Sequence, residues 1–159
     1  SNLPASGGIT SADTWRVTAN FQGNATPIAT NWERADTYSP GYIGTGMSQS
    51  SGIFTFPSTG IWDITFNHTF SSAGDNQYIE STIDATTDNS SYNKASKSWQ
   101  GATANAVYGM ASCKFLFDVT NITTHKLRFS TTSQDADAYT QTSTNTNLTY
   151  VTFIRLGNT

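Results

Sequence analysis

The sequence predicts an all-β protein, built as a two-sheet antiparallel sandwich or jelly roll. Apolar and polar residues alternate with period two along most of the chain, as they do in strands that bury one face. Of the 159 residues 13% are aromatic and only 12% charged, about half the usual charged share, and about three in ten are Ser or Thr. Aromatic and β-branched residues favour strands. No segment of the sequence shows apolar residues at the spacing of a helix.

Strands are predicted wherever every second residue is apolar. The runs, in chain order, are residues 15–21, 52–56, 62–66, 113–119, 126–130 and 148–156. Turn-forming residues separate the runs at 23–24, 39–41, 57–60, 74–76 and 135–137. Two polar stretches, 82–97 and 140–146, are predicted to be loops, so that the whole chain, 1–159, forms one domain. Residues 1–13 are interpreted as an N-terminal lead-in, which would follow a stalk in a longer chain.

The stretch GIFTFPSTGIWDITF, residues 52–66, predicts two strands joined by a short turn. Pro57 pre-sets φ early in that turn, and Gly60 can adopt the positive φ that a turn requires. The large apolar side chains on the two sides of the turn are expected to pack into one core. Each is worth roughly 1.5–3 kcal/mol on burial.

The last strand is apolar on both faces. Tyr150 and Ile154 lie on one parity, and Val151 and Phe153 lie on the other. A strand on the surface of an antiparallel sheet normally keeps one polar side. Two interpretations remain open at this point: a central strand buried on both faces, or a strand that forms a subunit interface.

Residues 52–66 resemble the motif G-x-F-x-x-P-x-x-G-x-Y-x-F, which joins two consecutive strands in the globular head of complement component 1q, within the wider tumour necrosis factor-like superfamily. Trp62 stands where that family has Tyr. The C-terminal residues 150–156, YVTFIRL, resemble the last strand of the family, and residues 31–51, with Trp32, resemble its Gly-rich lead-in. Order and spacing agree over residues 15–157, but residues 72–110 match nothing in the family.

The resemblance implies a jelly roll of about ten strands that assembles as a tight homotrimer. It also implies a protein that binds receptors, glycans or other surfaces and does not catalyse a reaction. The interface between copies is expected to use the last strand and the strand around residues 66–70. Its predicted members are Phe66, His68, Phe70, Tyr150, Val151, Phe153 and Ile154.

The abundance of Thr, Ser and Asn resembles that of phage proteins with this type of head. The favoured hypothesis is therefore the head of a tail fibre or other virion appendage, located on the virion or outside cells, that attaches to a host cell-surface glycan or protein. A structural module that caps a fibre or decorates a capsid without binding a ligand is one alternative. A secreted defence lectin of the complement-1q type is another.

The charge distribution argues against two kinds of partner. The chain carries 8 Lys and Arg against 11 Asp and Glu, and the basic residues are scattered along it. Neither nucleic acid nor membrane insertion is expected, because no basic patch and no apolar run of about 20 residues is present. The lone Cys113 is interpreted as a small buried hydrophobic residue.

No catalytic residues are predicted. His68 shares the parity of Phe66 and Phe70 and is interpreted as a buried or interface side chain bonded to a neighbour, and His125 as a solvated one. Residues 46–50, GMSQS, lack the final Gly of a nucleophile elbow.

Two sets of residues are candidates for binding. Asp135 and Asp137 would project two carboxylates to one side of an extended segment, which is a candidate calcium site; no other cofactor is expected. Tyr92, Asn93, Trp99 and Tyr139 lie in the predicted polar stretches. Aromatic rings beside amides and hydroxyls suit sugar recognition, because the ring stacks on the C–H face while polar groups fix the hydroxyls.

Overall fold

A computed structural model describes residues 8–103 and 107–159. Within these ranges the chain forms thirteen β-strands and no helix. They are β1 (Ala12–Val17), β2 (Phe21–Gln22), β3 (Trp32–Arg34), β4 (Tyr42–Ile43), β5 (Ser48–Ser50), β6 (Ile53–Thr55), β7 (Gly60–Ser72), β8 (Asn76–Thr86), β9 (Asn93–Ala102), β10 (Val107–Val119), β11 (Lys126–Ser133), β12 (Ala138–Thr140) and β13 (Tyr150–Gly157).

The strands form two sheets, and within each sheet every pair of neighbouring strands is antiparallel. The eight-stranded sheet has the order β2-β12-β7-β13-β1-β3, with β10 also paired to β7 and β4 to β1. The five-stranded sheet has the order β5-β6-β11-β8-β9. The all-β, two-sheet antiparallel prediction is confirmed.

The turn between β6 and β7 carries the chain from one sheet to the other. β6 pairs within the five-stranded sheet and β7 within the eight-stranded sheet, so residues on both sides of the turn point into the space between the sheets. Phe54, Phe56, Trp62 and Phe66 are at most 1% exposed. The predicted common core is confirmed, and the turn closes one end of it.

Aromatic rings fill that core. Phe54 lies edge-on to Trp32, with ring centroids 5.2 Å apart. It also packs against Phe129 and Phe153, with centroids at 5.3 Å in both cases. Edge-to-face pairs add about 0.5–1.5 kcal/mol each beyond the area they bury.

The predicted subunit seam requires a correction. Phe66, His68, Phe70, Val151 and Phe153 are at most 1% exposed within the single chain. Strand alternation turns all five toward the other sheet, where they form part of the chain's own core. They therefore present no surface to a second copy.

Tyr150 and Ile154 of the predicted seam lie on the opposite, outer face of β13 and are half-buried. β13 runs between β7 and β1 in the sheet. It is thus a central strand with one core face and one half-buried outer face. The interpretation of a strand buried on both faces is therefore wrong, and an interface on the outer face stays a prediction.

The predicted loop at residues 82–97 is also wrong. Most of it belongs to β8 and β9, which pair with each other, for example Thr82 with Lys97. The segment is polar because the outer face of this sheet is built from charged and hydroxyl side chains that bind one another. The second predicted loop is largely confirmed, since β12 ends at Thr140 and β13 begins at Tyr150.

The N-terminal lead-in is shorter than expected. Residues 1–7 of the predicted 1–13 segment lie outside the described residues, and β1 already begins at Ala12. Asp13 is buried and accepts hydrogen bonds from Arg34, from the Met47 backbone N–H and from the Trp15 indole. This part of the chain is therefore integral to the sandwich.

The described residues contain no helix of the length and apolarity that crossing a bilayer requires.

Candidate binding faces

The two sheets present outer faces of different chemistry. We call the outer surface of the five-stranded sheet around Glu80 and Asp84 the charged face. We call the outer surface of the eight-stranded sheet around Tyr150 and Leu116 the Tyr150 face.

Glu80 is the centre of the charged face. It is buried and accepts hydrogen bonds from Lys94 and from the indole Nε1 of Trp99, the latter at 2.7 Å. Lys97 Nζ lies 3.9 Å from its second oxygen. Burial raises the pKa of Glu80, but the hydrogen bonds from Lys94 and Trp99 outweigh burial and hold this pKa below its ordinary value. The carboxylate is therefore charged, and its bonds to Lys94 and Trp99 hold β9 to β8.

A second ion pair lies beside the first. Asp84, also buried, accepts hydrogen bonds from Arg128 Nε at 3.1 Å and from Ser130 Oγ at 2.8 Å. The guanidinium of Arg128 lies 4.4 Å from the centroid of the Tyr92 ring, which is within cation–π range. Cross-strand register places the two ion pairs side by side, because Asp84 pairs with Arg128 on one side and with Lys94 on the other.

The two ion pairs enclose a cavity of about 170 Å³. Carboxylates, cations and hydroxyls line it: Thr26, Glu80, Thr82, Asp84, Tyr92, Lys94, Arg128, Ser130 and Thr132. The Tyr92 hydroxyl oxygen is buried and has no hydrogen-bond partner among the described residues, and burial raises the pKa of this group. A small polar ligand in the cavity would satisfy it.

Trp99 projects beside this cavity and is 57% exposed. Its ring is held in place because Nε1 donates to Glu80 and Lys97 Nζ lies 4.3 Å from the ring centroid. An exposed indole next to hydrogen-bonding groups is suited to stacking on a ligand. Because the fold already holds this ring in place, binding would cost little further side-chain entropy.

The structure brings together only part of the predicted ligand set. Tyr92 and Trp99 share the charged face, and Asn93 is exposed where β9 begins, next to Lys94. Tyr139 lies on the other sheet, where it pairs with Ser71 and Gln22, so it cannot act with the other three.

Sequence reasoning did not predict the ion pairs of Glu80 with Lys94 and of Asp84 with Arg128. Glu80 and Asp84 lie on the same parity of β8, and the cations that bind them lie on the neighbouring strands β9 and β11. This pattern of opposite charges can be recognised only once β8 is assigned as a strand.

The Tyr150 face is less charged and more apolar. Cross-strand rows on it join Tyr150 to Asn67 and Ile154 to Asp63. β10, which pairs with the other edge of β7, adds Leu116, Met110 and Tyr108 to this face. Leu116 is 58% and Tyr108 71% exposed.

A charged pair lies within this face. Lys114 Nζ lies 2.9 Å from Asp63 Oδ2, while Asp63 Oδ1 is buried without a hydrogen-bond partner among the described residues. A buried carboxylate oxygen without a hydrogen bond lowers the stability of the fold. A partner surface that donates a hydrogen bond to Asp63 Oδ1 would remove this cost.

A serine–histidine contact occurs in the core. His68 Nδ1 lies 2.8 Å from Ser81 Oγ, and Nε2 lies 3.0 Å from Thr140 Oγ1. Burial lowers the pKa of His68 to about 3, so the ring is neutral. Both His68 and Ser81 are at most 1% exposed, so no substrate reaches them and the contact is structural, as expected for a buried histidine. Cys113 is buried as predicted, which raises the pKa of its thiol to about 12.

The predicted calcium ligands are not arranged as the sequence suggested. Ala136, between them, has a positive φ of 54°, so the segment is a turn and Asp135 and Asp137 do not share one side of an extended strand. Asp137 Oδ1 accepts a hydrogen bond from Asn76 Nδ2 at 2.6 Å. Among residues 8–103 and 107–159 no group of three or more His, Cys, Asp or Glu side chains could hold a metal ion.

Comparison with known proteins identifies the fold. No family model matches the chain, and no curated protein matches it. Solved structures do. Murine APRIL at pH 5.0 superposes with a TM-score of 0.68 at 12% identity, covering 92% of this chain and 98% of that one. Eiger TNF from S. frugiperda superposes with a TM-score of 0.70 at 10% identity, covering 95% and 94% of the two chains.

The fold is a tumour necrosis factor-like jelly roll. The likeness in fold extends over almost the full length of the compared chains. At these identities the likeness concerns the tumour necrosis factor-like fold alone.

Proposed function

We propose that this protein is a non-enzymatic, homotrimeric binding head that works outside cells and attaches to a cell-surface receptor. One observation carries the proposal: the two outer faces of the sandwich differ in their chemistry. The Tyr150 face exposes large apolar side chains, whereas the charged face presents a fixed indole beside a polar cavity.

Self-association is assigned to the Tyr150 face. An exposed apolar surface rimmed by polar residues is typical of interaction sites. The resemblance of residues 52–66 to complement component 1q heads implies three copies. Tyr150 and Ile154 of the predicted seam belong to this interface, joined by Leu116, Met110 and Tyr108 in place of the buried core residues.

Recognition is assigned to the charged face. Trp99 would stack on the C–H face of a sugar, and the polar groups around Tyr92 would bind its hydroxyls. A glycan is therefore the proposed receptor chemistry, and the head of a phage tail fibre or virion appendage is the proposed setting. Three copies on one axis would convert weak single-site contacts into firm attachment, often by roughly 10²–10⁴.

The experiment measures assembly and binding separately. Sedimentation is expected to give about three times the chain mass of 17.2 kDa. Labelled protein is then tested on a glycan array and on a panel of bacterial strains. We expect specific adsorption that Trp99→Ala reduces at least tenfold, that Trp99→Phe reduces less because the ring is kept, and that the exposed-loop control Ile122→Ala leaves unchanged.

A trimer that adsorbs to no glycan and no strain would overturn recognition and favour the capping or decoration role. A monomer at micromolar concentration would overturn the assembly.

A further inference from the structure

A second cleft lies away from the charged face, between the loop after β3 and the loop before β13. Its volume is about 370 Å³, within the range of roughly 300–1,000 Å³ typical of small-molecule sites. The lining residues that matter for its chemistry are Arg16, Thr37, Tyr38, Asn145 and Asn147.

Arg16 supplies guanidinium N–H donors to this cleft. The residue is 3% exposed, and its hydrogen bonds among the described residues use Nε, to Glu33 Oε1 at 2.8 Å, and Nη2, to Thr37 Oγ1 at 2.8 Å. Both of its contacts with Glu33 go to the same oxygen. Nη1 makes no hydrogen bond with another described residue, so its N–H groups remain available to an oxygen of a ligand.

Tyr38 supplies an aromatic surface that packs on nothing else. Its side chain is 94% exposed, although the loop that carries it is fixed: Ser39 Oγ donates to the Ala35 carbonyl and accepts from the Gly41 N–H. Tyr38 is therefore a free ring on an ordered loop, which suits stacking on the C–H face of a ligand.

The opposite wall supplies amide groups. Asn145 and Asn147 are exposed, and their side-chain amides make no hydrogen bond within residues 8–103 and 107–159. The loop itself is ordered because Ser143 Oγ accepts hydrogen bonds from the Asn145 and Thr146 N–H groups. Each amide offers donors and an acceptor to hydroxyl groups of a ligand.

We infer that this cleft binds a carboxylated saccharide, such as a uronic acid residue of a polysaccharide. Arg16 binds the carboxylate, Tyr38 stacks on the ring, and the Asn side chains bind the ring hydroxyls. This function goes beyond the proposed function, because the cleft shares no residue with the charged face.

The test uses the whole protein and defined saccharides. Tetragalacturonate is titrated by calorimetry and by saturation-transfer NMR, with maltotetraose as the neutral counterpart and acetate as the carboxylate without a ring. We expect tetragalacturonate to bind at least tenfold more tightly than either control and to weaken as salt is raised.

Two substitutions on one loop provide a matched pair. Asn147→Asp puts a negative charge in the cleft and is expected to lower tetragalacturonate affinity at least tenfold. Thr144→Asp adds the same charge to the same loop outside the lining and is expected to change affinity less than twofold. Tyr38→Ala, which removes an exposed ring without disturbing the core, is expected to weaken binding at least fivefold.

Equal affinity for maltotetraose, or undiminished binding in both Asn147→Asp and Tyr38→Ala, would overturn the inference. No detectable binding of tetragalacturonate at millimolar concentration would do so too. Trp99→Ala is expected to leave this binding unchanged, so failure here is distinguishable from failure of the charged face.

Discussion

His68 shows how one polar residue is accommodated in an aromatic core. Its ring stacks on Phe66, with centroids 6.2 Å apart, and hydroxyls of Ser81 and Thr140 satisfy its two nitrogens. The neutral form fits this site, whereas the charged form would require an ion to be buried without a counter-charge.

The first prediction concerns pH. The unfolded chain binds a proton at His68 near pH 6.5, and the folded chain does so only near pH 3. Between these values the unfolded state binds more protons, so the free energy of unfolding falls as pH is lowered. The loss approaches about 1.4 kcal/mol per pH unit, and amounts to about 2 kcal/mol between pH 7 and pH 5.

The measurement is denaturant unfolding at fixed protein concentration, at pH 7 and pH 5. His68→Gln is expected to be less stable than the wild type at pH 7 but to lose about 2 kcal/mol less on acidification. Equal losses in the two proteins would show that His68 does not contribute to the pH dependence.

The second prediction concerns Gly60, at the start of β7. Its φ is 141°, and an added Cβ would lie 2.4 Å from the Gly157 carbonyl oxygen, closer than atoms can approach. Gly60→Ala is expected to lower the free energy of unfolding by several kcal/mol, about 3 or more, through strain and displaced backbone. Gly157→Ala is the matched control, because nothing lies within 4 Å of its added Cβ. Equal melting temperatures for the two variants would contradict the assigned turn geometry.

At the scale of elements, the β8–β9 hairpin shows why a polar strand was mistaken for a loop. Period-two apolar patterning marks a strand only when one face is buried against apolar groups. Here the outer face buries Glu80 and Asp84 instead, and cations from β9 and β11 compensate them. Breaking such a buried pair typically costs about 3–5 kcal/mol, so the hairpin is held by charges that are adjacent only after the strands have paired.

The turn between β11 and β12 carries the third prediction. A calcium site at Asp135 and Asp137 rests on the sequence alone, because the positive φ of Ala136 breaks the extended geometry that it assumed; if calcium binds there, EDTA should lower the melting temperature and added calcium should restore it. Asp135→Asn should abolish that response, while Asp118→Asn, at an exposed position of β10, should preserve it. A chelated protein whose melting temperature excess calcium leaves unchanged would end this proposal.

At the scale of the whole molecule, the division between two outer faces organises the proposed function. Strand alternation gives the eight-stranded sheet one aromatic inner face and one outer face with exposed apolar groups. The sandwich separates the two faces, so that the proposed trimerisation through the Tyr150 face would leave all three charged faces accessible to the proposed receptor.

The fourth prediction tests that arrangement. Leu116→Glu puts a charge on the Tyr150 face beside Asp63, and the variant is expected to sediment at the single-chain mass while remaining folded by circular dichroism. Cell-surface attachment should fall by roughly 10²–10⁴, as avidity is lost. Ile122→Glu, in the turn between β10 and β11, is the matched control. An unchanged oligomer in Leu116→Glu would place the interface elsewhere.

The sequence by itself determined the fold class and much of the core. Period-two patterning and turn residues depend on local chemistry, so Phe54, Trp62, Ile64 and Phe66 could be assigned to the interior and Pro57–Gly60 to a turn before any contact was known. The motif at residues 52–66 added a resemblance to the tumour necrosis factor-like superfamily, because its spacing reflects a turn that only certain residues can make.

Only the tertiary structure decided which face of β13 is buried within the chain and which side chains form the binding faces. Val151 and Tyr150 are neighbours in sequence and similarly apolar, and nothing local tells which of them meets the opposite sheet. The charged face and the Arg16–Tyr38 cleft join residues that are distant in the chain. Their chemistry arises from strand register and loop packing, which depend on the global arrangement of both sheets.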